Sequence, residues 1–165
     1  MSKKIGIVMG SDSDLPIVKK AMDMLDAFGV KYEVHVYSAH RTPDEAGVFA
    51  SNARANGFGA IIAAAGMAAH LAGAIAARTT LPVIGIPCKS SCFDGMDALL
   101  STVQMPTGIP VATVAIDGAA NAATLAVEIL ALSDATLREK LVSARRGATE
   151  VVLAKNKAIE DKFNI

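Results

Sequence analysis

Tryptophan is absent from this chain, and two tyrosines and five phenylalanines are its only aromatic residues. That leaves little with which to stack a flavin. An excess of either charge is also missing: sixteen Lys and Arg stand against sixteen Asp and Glu. Without a basic field there is nothing to hold nucleic acid or an anionic membrane non-specifically, whereas small, localised anions remain suitable partners. Cysteine is scarce. Cys88 and Cys92 are too few for a disulfide framework, and Cys-Lys-Ser-Ser-Cys has neither the redox spacing nor a complete zinc set, so both are expected as free thiols. No basic segment leading into an apolar one opens the chain, because Lys3 and Lys4 run straight into a short strand-like stretch; this argues for a cytoplasmic protein. The uncharged run at 55–77 has the length of a membrane span. Gly57, Gly59, Gly66, His70 and Gly73 interrupt it, and its alanines add little hydrophobicity, so a buried strand, a turn and a packed helix explain it better.

What the chain does have is apolar side chains: 52% hydrophobic residues against 19% charged, over 165 residues. The length suits one domain whose core needs no staples, and the surplus points to apolar surface buried between subunits. Periodicity predicts strands at 4–9, 30–37, 60–65, 82–86 and 111–116, with helices at 14–28, 43–56, 68–78, 94–103 and 119–132 between and after them. Strict alternation of helices with strands that are apolar on both faces implies a parallel sheet covered on both sides, in one doubly wound domain at 1–165 with its α/β core at 1–132. A last helix, 133–162, opens at Ser133 and Asp134 and carries an apolar stripe through Leu137, Leu141, Ala144, Ala148, Val151 and Ile159. That stripe fits packing on its own domain or on a neighbouring subunit equally well.

Ligands of open α/β sheets bind beyond the carboxyl ends of the strands, and the first three loops there are unusual. After the first strand, Gly10 permits a close turn, while Ser11, Ser13 and Asp14 stand at a helix start, where they can hold an anion or simply cap the helix. This is no Gly-x-Gly-x-x-Gly fingerprint, so a dinucleotide is not implied. Asp14 suits ribose hydroxyls if the serines and a cation take a phosphate. The second loop supplies that cation. In Ser38-Ala39-His40-Arg41-Thr42-Pro43, Arg41 offers a donor fork and His40 an imidazole that exchanges protons near neutral pH. Thr42, Pro43 and Glu45 form the pattern of a capping box. His35, inside the second strand with nothing chemical beside it, reads as structural. In the third loop, Gly66, Met67, Ala68 and Ala69 let backbone amides approach a flat ligand or a carboxylate, and His70 either supports the site or is a satisfied structural histidine.

With these loops in view, the chain resembles the class I N5-carboxyaminoimidazole ribonucleotide mutases of purine biosynthesis along nearly its whole length. The resemblance rests on Val8-Met9-Gly10-Ser11 with Ser13-Asp14, Ser38 to Pro43, Ala68-Ala69-His70-Leu71, and Val103-Gln104-Met105-Pro106 running on through Gly108 to Thr113. It implies a three-layer α/β/α sandwich, doubly wound with flavodoxin-like strand order, assembled into a homo-octamer. It also implies an isomerase that moves a carboxyl group from the exocyclic nitrogen of an aminoimidazole ribonucleotide to ring carbon C4. Carbon dioxide is released and recaptured in a closed site, with no metal, nucleoside triphosphate or biotin. By motif, His40 would be the proton shuttle, and Ser11, Ser13, Asp14 and Arg41 the ribonucleotide-binding set. Ser38, Ala39 and the Gly66, Met67, Ala68, Ala69 loop would enclose the base and the migrating carboxylate, with His70 in support.

Four positions depart from that pattern. Met67 stands where a second glycine is common, Ala72 where proline is usual, and Asp94 and Asp117 where serine and glycine are frequent; of these, Met67 bears on the carboxylate pocket, which it would narrow. Two other functions compete. One is the class II relative, which carboxylates aminoimidazole ribonucleotide directly with carbon dioxide, although Arg41, Ala-Ala-His-Leu and Gln-Met-Pro look like class I. The other is a flavodoxin-like module that binds a phosphate ligand without chemistry, since fold alone does not decide function.

Overall fold

The apolar runs become five parallel strands in the computed structural model, which describes residues 3–164: β1 (Lys4–Met9), β2 (Tyr32–Val36), β3 (Phe58–Gly66), β4 (Val83–Cys88) and β5 (Ala112–Thr113). Their spatial order is β2-β1-β3-β4-β5, the expected flavodoxin-like winding. Side chains alternate between two cores. Ile5, Ile7 and Met9 of β1 and Ala60, Ile62 and Ala64 of β3 enter one cluster, while Val8, Ile61 and Ala63 enter the other. Helices α1 (Leu15–Phe28) and α5 (Ala119–Ala131) cover the first face, and α2 (Pro43–Asn52) and α3 (Leu71–Ala76) the second. Helix α4 (Met96–Val103) joins the α3 side, because a Cβ placed on Gly85 would lie 2.4 Å from Thr102 Cγ2 and 3.3 Å from Ala72 Cβ. The result is three layers.

Element ends depart from the periodicity for local backbone reasons. Strand β2 begins at 32, not 30, because Gly29 turns left-handed (φ 71°) and the amides of Gly29 and Val30 donate to Asp26 and Leu25, closing α1. Helix α2 stops at 52, not 56, and the chain reaches β3 through Gly57 at φ 81°. Strand β5 keeps only two residues before Asp117 (φ 56°) turns its amide onto the Pro87 carbonyl. Strands β3 and β4 instead run longer than their apolar cores, and β4 reaches 88 where periodicity ended it at 86.

Helix α6 (Ala135–Phe163) is capped by Asp134, whose Oδ1 accepts from the Leu137 amide at 3.1 Å. Only its first turns rest on the domain: Leu137 is buried, Lys140 Nζ donates to the Phe28 carbonyl at 2.7 Å, and Arg145 pairs with Glu128 at 2.5 Å. Every residue from 148 to 164 is exposed, so Ala148, Val151 and Ile159 of the stripe have no intrachain cover. Among the described residues no helix is long and apolar enough to cross a membrane.

Candidate active site

The loop after β1 is held by its own hydroxyls. Ser11 Oγ accepts from the Ser13 amide at 3.3 Å and from Ser13 Oγ at 2.9 Å, closing a single 3₁₀ turn over Asp12–Asp14 ahead of α1. Asp14 precedes α1 without capping it, so its carboxylate is left facing the cleft rather than its own helix. Gly10 does not use its conformational freedom: its φ is not left-handed, and an added Cβ would meet nothing nearer than 3.8 Å. Burial pushes the Asp14 carboxyl above its ordinary range. The Ser11 backbone and the Cys88 thiol pull it back, and the charges of Asp117 and Asp12 raise it a little further. Cys88 is pushed up to about 12, chiefly by burial and then by Asp14 and Asp117, so its thiol stays protonated. Both cysteines are free, Cys88 buried and Cys92 exposed.

After β2, Ser38 organises the turn. Its Oγ accepts from the amides of His40 at 3.3 Å and Arg41 at 3.2 Å, which leaves both side chains directed outward and exposed. The expected capping box does not form. Thr42 Oγ1 accepts from the Ser38 amide at 2.7 Å and donates to the Ser38 carbonyl at 3.2 Å, so it closes the loop in place of capping α2. Pro43 does occupy the first turn of α2.

After β3, Met67 adopts φ 55°, a left-handed conformation that ordinarily favours glycine, and the Ala69 amide donates to its carbonyl at 2.8 Å. This turn delays α3 from 68 to 71. Ala69 is thereby buried and, against expectation, does not line the cleft. The His70 ring lies 5.6 Å from that of His40, centroid to centroid.

These loops enclose a cavity of about 480 Å³. Ser11, Ser13, Asp14, Ser38, Ala39, His40, Arg41, Gly66, Met67, Ala68 and His70 all line it, joined by Gly10, Ala65 and Leu71. Lys89 and Ser90, from the loop after β4, complete the wall; sequence reasoning missed them, because ending the strand at 86 put them well past the sheet edge. A fork of cationic donors, four serine hydroxyls, a carboxylate and two imidazoles can hold an anionic, hydroxyl-bearing ligand and exchange protons with it. A larger cleft of about 890 Å³ opens at the amino ends of β4 and β5, but Arg54 and Arg78 there have no imidazole or carboxylate beside them in the lining. His35 stacks on Tyr37 at 5.1 Å and meets the tilted ring of Phe49 at 5.0 Å, away from the cavity, which is the structural role its strand position suggests.

Residues 4–151 match the family model described as AIR carboxylase. A protein of Pyrococcus horikoshii named N5-carboxyaminoimidazole ribonucleotide mutase is 53% identical over 157 residues, covering 95% of this chain and 89% of that one. A Vibrio parahaemolyticus protein of the same name is also 53% identical, over 96% of this chain and 99% of its own. The crystal structure of Treponema denticola PurE superimposes with a TM-score of 0.87 at 27% identity, over 99% of each chain.

Proposed function

Because this chain belongs to the AIR carboxylase family, we propose that it interconverts N5-carboxyaminoimidazole ribonucleotide and 4-carboxy-5-aminoimidazole ribonucleotide, as an isomerase of purine (IMP) biosynthesis. The observation that carries the reading is the joint presence of His40, Arg41, Ser11 and Asp14 around one cavity at the carboxyl edge of the sheet. Arg41, with Ser11 and Ser13, binds the 5′-phosphate, and Asp14 accepts from ribose hydroxyls. Ser38, Ala39 and the Gly66 to Ala68 segment enclose the base; Ala69 backs that segment from the core.

His40 supplies the proton movement. The bond between the exocyclic nitrogen and the carboxyl carbon breaks to give carbon dioxide, and imidazolium donates its proton to that nitrogen. Carbon C4 then attacks the retained carbon dioxide, and the imidazole, now neutral, removes the C4 proton. One group serves twice and every atom is returned, so the net isomerisation consumes no co-substrate. Retention of carbon dioxide replaces a bimolecular encounter by a preorganised one. His70, one ring away, supports the imidazole. His40 and Arg41 are exposed in the single chain, so closing the site calls for cover beyond it. We assign that cover to neighbouring copies in a homo-octamer, the whole chain 1–165 acting as one mutase domain in the cytoplasm, with 1–132 as its core and 133–162 as its C-terminal helix.

The test is an ultraviolet absorbance assay of purified protein with the N-carboxylated ribonucleotide and no ATP. Turnover is expected, and His40→Asn should lose about 10²-fold or more while still binding ligand. No absorbance change with authentic substrate would refute the mutase; a requirement for bicarbonate, with the N-carboxylated compound unused, would identify direct carboxylation instead.

A further inference from the structure

Lys89 stands on the wall of the cavity facing the loops of the first three strands, and nothing in the roles above uses it. We propose that Lys89 is a second anion-binding residue of this site, held by Asp94 when the cavity is empty and passed to an anionic oxygen of the ligand when it is filled. The inference rests on the ribonucleotide reading of the cavity and adds to it the counter-charge which that reading leaves short.

Charge balance supplies the need. A carboxylated ribonucleotide brings a phosphate of about −1.5 to −2 and a carboxylate, into a cavity whose wall already holds the Asp14 carboxylate. Arg41 is the one other permanent cation in that lining. One guanidinium against two ligand anions and a half-buried carboxylate is a deficit, and Lys89 is placed to reduce it.

Backbone geometry supplies the means. The Lys89 amide donates to Asp117 Oδ1 at 2.9 Å, and the Asp117 amide donates to the Pro87 carbonyl at 2.9 Å, so the start of the lysine is pinned to the ends of β4 and β5. Its tip is free by comparison. Lys89 Nζ pairs with Asp94 Oδ1 at 3.1 Å, with 59% and 83% of the two side chains exposed. A pair so open to water is weak and readily exchanged for a less hydrated anion inside the cleft. Asp94 itself is set by a left-handed turn (φ 52°) running into Gly95 (φ 91°), so it offers the lysine a resting partner without following it.

A purely structural pair makes a different forecast. If Lys89 and Asp94 only steady their loop, removing either should act in the same direction. If Asp94 competes with the ligand for Lys89, the two removals should act in opposite directions. The experiment is steady-state kinetics on the full-length protein with the N-carboxylated ribonucleotide. Lys89→Met is expected to raise KM about tenfold, with a much smaller change in kcat, and Lys89→Arg to restore most of it. Asp94→Asn, which keeps the left-handed preference of the turn, is expected to lower KM about two- to threefold, and to do so only when Lys89 is present. Competition by inorganic phosphate locates the contact: weakened in Lys89→Met if the lysine meets the phosphate, unchanged if it meets the migrating carboxylate. A Lys89→Met KM within twofold of wild type, or an Asp94→Asn effect that survives in the Lys89→Met background, would overturn the proposal while leaving the mutase intact. An inactive wild type would instead defeat the mutase reading itself, and with it the substrate on which this inference depends.

Discussion

Asp14 shows at the scale of one residue how the fold trades stability for a site. Its carboxyl is half-buried and raised above the ordinary value of 3.8, mainly by desolvation. A raised folded value means that the protonated form is favoured by folding. The stabilisation that proton brings is complete below the unfolded value and is lost as pH rises through the folded one, so at neutral pH the ionised carboxylate is a net burden. Asp14→Asn should therefore gain relative to wild type as pH rises from about 4 to 7, read as the difference in Tm between the two proteins. The same substitution should impair ligand binding, because an amide is a poorer acceptor for ribose hydroxyls than a carboxylate. A Tm difference that moves the other way with pH would contradict the burial argument. Asp14, His40 and Arg41 were legible in the sequence because each lies in the loop between a strand and the helix that follows it. The work of Ser38 and Thr42 was not. Which of two nearby hydroxyls accepts a given amide is decided by the path of the turn, and the capping-box pattern gave Thr42 a partner it does not have.

At the scale of the element, several misplaced boundaries sit beside a left-handed residue. Met67, Asp94 and Asp117 are the non-glycine residues at positive φ among those described; Met67 and Asp94 lie just ahead of helices that start later than periodicity placed them, and Asp117 lies just past a strand that ends sooner. Hydrophobic period records which face is buried, not where one residue turns left-handed, and Asp tolerates that conformation without marking it as glycine would. Element type and order survived because they depend on many residues at once. Close packing between elements is equally invisible in the pattern. Gly85 looks like any glycine in an apolar run, yet a Cβ there would come within 2.4 Å of Thr102 Cγ2 on α4 and 2.9 Å of Val111 Cγ1. Gly85→Ala must push α4 outward or bend β4. It should destabilise the fold by about 1–3 kcal/mol, seen as a lower urea midpoint with an unchanged slope. A loss below about 0.5 kcal/mol would mean that α4 is more loosely seated than its contacts indicate.

The whole molecule exposes more surface than one chain should. A compact monomer of 17.0 kDa has an accessible area of about 7,700 Å², against 9529 Å² here. Much of the excess is apolar and lies on two helices: Met96, Leu100 and Val103 along α4, and Val151, Val152, Leu153, Ile159 and Phe163 along the free length of α6. A 29-residue helix with only its first turns packed gains little from its own domain, and isolated helical segments are marginal in water, so its far end is the surface on which the proposed assembly would rest. The hydrophobic surplus read from composition has its physical location here. Static light scattering at micromolar concentration is expected to give a mass several times 17.0 kDa. Val151→Glu with Ile159→Glu, two positions eight residues apart on one face, should lower that mass while far-ultraviolet circular dichroism stays that of a folded domain. Because His40 and Arg41 lie open in the single chain, turnover should fall in step with the loss of assembly, even though neither substitution is near the cavity. A stable wild-type monomer, or a dissociated variant with full activity, would show that the site closes without a neighbour.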